Sequence, residues 1–180
     1  IASNNTDAIY HGGIVIPLAA GVIGKTDQAV APLGVLNGVE YVDSNTGKTV
    51  FSNYWPGSNN VSVDTNHPVK AFVFDDPMQL YVVAADGTNT DRATAQADVF
   101  SNCDMASVNN GSTSTGQSSD MLDISSAATT NTLDVRIVGL YEDDANTDYS
   151  AVGHQYIVRL NGHFNSGTTI AVGTYATTGI

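Results

Sequence analysis

Val and Ile together number 30 in this chain, against eight Leu. Side chains branched at Cβ are crowded on a helix but fit the pleated surface of a sheet, so strands are expected to dominate. Glycines, prolines and pairs such as Asn37-Gly38, Thr46-Gly47 and Asp86-Gly87 interrupt the sequence about every eight to twelve residues, the spacing of short strands joined by tight turns. The spacing predicts strands over Ala8–Pro17, Pro32–Val42, Lys48–Tyr54, Val69–Phe74, Gln79–Ala84, Leu133–Tyr141, Gln155–Leu160 and Thr168–Thr174. The expected fold is all-β: one domain over 1–180, a β-barrel or β-sandwich with long polar loops or arms and at most one short helix. A chain of 180 residues buries enough surface to fold without a disulfide or metal staple.

Local patterns refine this. Leu133, Val135 and Ile137 alternate with Asp134 and Arg136, which places the apolar residues on one face and the charges on the other. Ala71-Phe72-Val73-Phe74 loses its alternation after Lys70, as expected of a strand covered on both faces at its far end. Asp43-Ser-Asn-Thr-Gly47 reads as a hairpin loop with Gly in the left-handed position. The one helical candidate is Thr90–Val99, with Thr90 as cap and Asp91 in the first turn. Residues 1–7 are expected to form an N-terminal arm. Ser101–Thr132, rich in Ser, Thr, Asn and Gly, is expected to be a polar loop or arm.

Charge narrows the partners. Six basic residues face 18 acidic ones, for a formal charge of -12. The basic residues are scattered singly, so the clustered cations that displace counterions from nucleic acid are missing, and an anionic bilayer would repel the chain. The longest uncharged apolar run, Gly13–Gly24, is interrupted by Gly and Pro and is too short to span a membrane. No nucleic-acid or membrane partner is expected. No signal-peptide pattern is legible ahead of Lys25, the first basic residue, and a lone cysteine, Cys103, forms no intrachain disulfide.

The motifs of nucleophile elbows, dinucleotide and phosphate loops, Cys-x-x-Cys and His-Glu-x-x-His do not occur in the sequence. His11, His67, His154 and His163 show no metal-ligand spacing. Asp75-Asp76 precede Pro77 and read as a turn rather than a proton-sharing pair, because neighbours on a strand point to opposite faces. Glu142-Asp143-Asp144 with Asp148 lacks the EF-hand order and reads as a solvated acidic loop, with calcium as the competing use. Cys103 beside Asp104 has its thiolate disfavoured. Asn4, Asn60 and Asn110 begin Asn-x-Ser/Thr triplets, which so Asn-rich a chain produces by chance. Tyr54-Trp55-Pro56-Gly57 holds the single Trp at a strand end, where it either plugs the core or anchors an intermolecular contact. No enzyme and no cofactor are expected.

Four stretches carry a resemblance: Gly34–Tyr41, Asn53–Gly57, Val69–Pro77 and Ala85-Asp86-Gly87. Together with the strands at Leu133–Leu140 and His154–His163 and the tail Thr178-Gly179-Ile180, their order resembles virion structural proteins of tailed bacteriophages, marine phages included, of the capsid decoration or cement type. The resemblance implies a β-barrel or sandwich on the outer capsid surface, bridging subunits of the major capsid protein, as a homo-oligomer of trimer type. On this reading the contact candidates are Ile1, Ala2, Ser3, Asn4, Asn5 and Thr6 in the N-terminal arm, with Tyr54, Trp55 and Pro56. A tail or fibre module that binds host-surface glycans through Tyr54 and Trp55 is the alternative, and a carbohydrate-active enzyme using two of the carboxylates ranks below it.

Overall fold

The computed structural model describes residues 1–26, 28 and 30–166; the strand expected at Thr168–Thr174 lies outside them. The first sheet holds β1 (Ile14–Leu18), β2 (Val22–Lys25), β3 (Gly34–Val42), β4 (Thr49–Ser52) and β5 (Lys70–Phe74) in the order β2-β1-β3-β4, with β5 on the other side of β3. The second holds β6 (Tyr81–Ala84), β7 (Asn102–Ala106), β8 (Met121–Ala128), β9 (Val135–Leu140) and β10 (Gln155–Leu160) in the order β6-β10-β9-β7-β8. All these pairings are antiparallel. A single bridge, Ala85 to Leu122, brings the two edges of the second sheet together without closing it. The fold is therefore all-β and sandwich-like, not a closed barrel.

The turns follow from their sequences. The Asp43 carboxylate accepts hydrogen bonds from the amides of Asn45 and Thr46 and the Thr46 hydroxyl, while Gly47 takes a φ of +65° that a side chain would resist. That hairpin is as expected. The helix α1 (Arg92–Ala97) is shorter than predicted, and Asp91 rather than Thr90 caps it, its carboxylate accepting from the Thr94 amide at 2.8 Å. Asp76 accepts from the Met78 amide, which fixes the turn around Pro77.

Two apolar clusters form the core. One, around Leu122, Val135, Ile137, Tyr156 and Val158, belongs to the second sheet but also takes Ile14 of β1. The other, around Ile9, Val15, Leu36, Val39, Tyr41, Trp55 and Val69, lies on the inner face of the first. On β9, Val135 and Ile137 are buried while Arg136 is exposed, as the alternation predicts.

Three expectations are corrected. Ser101–Thr132 is not a loop or arm throughout, because β7 and β8 run through it and bury Cys103, Met105 and Leu122. A strand wet on one face needs an apolar residue only at every second position, so a polar composition did not exclude one. The tip of this hairpin folds onto the first sheet: the Asn109 side chain donates to the Thr26 carbonyl at 2.6 Å, and the amides of His11 and Ser118 donate to Gly116 and His11 carbonyls. Nor is the far end of β5 covered on both faces, since Phe72 and Phe74 are 45% and 47% exposed; an unbroken apolar run does not by itself bury both faces of a strand. The N-terminal residues, finally, do not project as an arm. Ile1 packs against the first-sheet cluster and its amine donates to the Val69 carbonyl at 3.0 Å.

Asp120 sits where the hairpin tip meets β1, its carboxylate facing Gly13. Neither oxygen has a well-aligned donor. Burial pushes its pKa up, offset in part by the Ser118 hydroxyl and the Ile14 and Asn109 amides nearby. A raised carboxyl pKa favours the protonated folded state, so its contribution is full below the unfolded-state pKa and lost as pH rises through the folded-state value. Asp120→Asn is expected to raise stability at pH 7 by roughly 1 kcal/mol and to give no gain near pH 3, as read by thermal melts at both pH values.

Candidate functional site

The residues singled out from sequence do converge, but into a plug. Trp55 is 0% exposed. Its ring meets Tyr41 edge-on at 5.8 Å, and its indole N–H donates to the Asn5 carbonyl at 3.1 Å. Ile9 and Trp55 exchange backbone hydrogen bonds at 2.9 Å, and the Ser58 amide donates to Asn5 at 2.8 Å. Gly57, at φ +90°, permits this approach, because a Cβ there would stand 2.3 Å from the Thr6 carbonyl oxygen. Tyr54 stacks on Tyr10 at 5.6 Å and donates its hydroxyl to the Thr113 carbonyl. Ile1–Thr6 and Tyr54–Pro56 thus seal one end of the first core, and Trp55 offers no face to a sugar or a neighbouring subunit.

The acidic loop lies elsewhere. A cleft of about 420 Å³ is lined by Asp91, Arg92, Glu142, Asp143 and Asp148 among others. Arg92 donates to Glu142. The Thr94 amide and hydroxyl hold the Asp91 pKa below the usual range, and the Ser150 hydroxyl and amide do the same for Asp148. Such carboxylates stay ionised and are committed to turns, which suits neither a general acid nor a shared proton. Among the described residues no group of three His, Cys, Asp or Glu converges as a metal site.

Cys103 is buried. Burial first, then Asp98, pushes its thiol pKa to about 12, the direction that its acidic neighbours predict.

The surface that sequence reasoning missed is the outer face of the first sheet. Glu40 pairs with Phe51 on one side and Lys70 on the other, and opposite residues share a face. Phe51, Phe72 and Phe74 therefore stand on one exposed face, around an ion pair in which Lys70 Nζ lies 2.9 Å from Glu40 Oε1. Phe51 is 70% exposed. Farther along the chain Met78, Leu80 and Val82 are also exposed. No signal for it is legible in the sequence: Ala71–Phe74 is apolar at every position, and such a run does not say which of its two faces meets the core.

Comparison with protein-family models, curated proteins and solved structures finds no match.

Removal of residues 1–6 is expected to strip the acceptor from the Trp55 N–H and lower stability by about 1–3 kcal/mol, measured by urea unfolding followed through Trp fluorescence. The Cys103 thiol is expected to resist alkylation at pH 8 in the native protein and to react once unfolded; rapid native labelling, read by intact mass, would contradict its burial.

Proposed function

We propose that this chain is a non-enzymatic structural protein of a tailed-phage virion, one that decorates the outer capsid shell and cements it by bridging subunits of the major capsid protein. The observation that carries this reading is the exposed aromatic face of the first sheet. Three phenylalanines grouped on one face of a strongly acidic module are a liability in free solution and an asset in a lattice where a neighbour covers them. The net charge of -12 works with that face, because it opposes nonspecific aggregation at high concentration.

The resemblance in Gly34–Tyr41, Asn53–Gly57 and Val69–Pro77 supplies the virion assignment, and the capsid rather than the tail is its implied place. The contact surface in this reading moves from Ile1–Thr6 and Trp55, which seal the core, to Phe51 and its neighbours on the outer face. In the acidic cleft Asp91, Asp143 and Asp148 cap turns and Glu142 pairs with Arg92, in keeping with a non-catalytic role.

Quantitative mass spectrometry of purified particles tests the reading. The chain is expected at a simple ratio to the major capsid protein. A few copies per particle would move it to the tail or fibre, and its absence from particles would overturn the assignment.

A further inference from the structure

Among the described residues β5 pairs with β3 alone, so its other side is an open edge. The Phe74 carbonyl oxygen lies against Gly34 of β3. Successive residues of a strand turn their N–H and C=O groups to opposite sides, and Ala71 and Val73 therefore direct theirs outward. Such an edge accepts another strand.

The side chains along it indicate which strand. Lys70 opens β5, Phe72 and Phe74 follow on the same exposed face, and Asp75-Asp76 come directly after. A cation at one end, anions at the other and aromatics between make the segment complementary to itself when reversed. A basic strand from another protein would satisfy only the Asp75-Asp76 end and oppose Lys70.

We propose that the chain self-associates about a two-fold axis by antiparallel pairing of β5 with β5 of a second copy, centred on Val73. Val73 then faces its own mate, Phe72 faces Phe74, and Lys70 faces Asp76. Each pair falls on a common face, giving two aromatic contacts flanked by two ion pairs. Lys70, already beside Glu40, has further ammonium protons to donate, and Asp76 engages the Met78 amide through one oxygen and keeps the other. Register beyond this segment is blocked: Pro77 has no N–H to pair, and the Val69 carbonyl is occupied by the Ile1 amine. Repulsion between the two acidic chains is screened over about 8 Å at physiological ionic strength, whereas the paired charges sit in contact. This two-fold pairing differs from the trimer implied by the resemblance and does not rest on the virion reading.

Sedimentation analysis over a concentration series tests it, with wild type, Lys70→Glu, Asp76→Lys and an equimolar mixture of the two variants. Near-ultraviolet circular dichroism verifies that each variant is folded. Wild type is expected to dimerise. Each variant alone places like charges opposite one another and is expected to associate roughly tenfold more weakly, while the mixture regains wild-type affinity as a heterodimer. The amides of Ala71 and Val73 are expected to exchange more slowly with solvent as wild-type concentration rises. A wild type that stays monomeric at its highest soluble concentration, with those amides unchanged, would overturn the proposal. So would a mixture no tighter than its components.

Discussion

β3 is the strand on which the first sheet depends. It pairs with β1 and β4 along one side and β5 along the other, and that arrangement requires glycine at its first position. A Cβ on Gly34 would lie 2.1 Å from the Phe74 carbonyl oxygen, closer than any side chain tolerates. The register then shifts between Leu36 and Gly38, with Asn37 exposed at the bulge. Val35 packs against the second-sheet cluster while Leu36 and Val39 belong to the first. One strand thereby contributes to both cores, and the two sheets are tied together at the place where it begins.

Polar residues complete that tie. The two clusters share a narrow apolar seam through Ile14 and Val35, and much of the remaining connection is hydrogen bonding across it. Gln28 donates to the Met105 carbonyl and to Asp134, Asn53 donates to the Thr115 carbonyl, and Asn109 donates to Thr26. Amide side chains here satisfy backbone carbonyls that no regular ladder reaches. Asp120 is the exception at the same junction, a carboxylate buried without a well-aligned partner.

The chemistry follows the same division. Asp43, Asp64, Asp91 and Asp148 all have pKa values lowered by hydrogen bonds from nearby amides and side chains. Part of the negative charge is thus built into the turns that punctuate the strands. Apolar surface is left outward instead at Phe51, Phe72 and Phe74, on the face that meets the second cluster at its Ile14 and Val35 end.

The dominance of strands and several of the turns are legible in the sequence, though β2, β7 and β8 are not, because these features rest on local physics: β-branched side chains, alternation over five or six residues, and Asp or Gly at positions with one acceptable backbone conformation. Local physics therefore placed β3, β4, β9 and β10 and the Asp43–Gly47 hairpin. Tertiary contacts alone make Trp55 a plug, close the Ser/Thr-rich hairpin of β7 and β8 onto the first sheet, and turn the phenylalanines of β5 outward. Each of these depends on which face of a strand another segment, far away in sequence, comes to cover. Alternation defines two faces, but burial of either depends on contacts that no local pattern encodes.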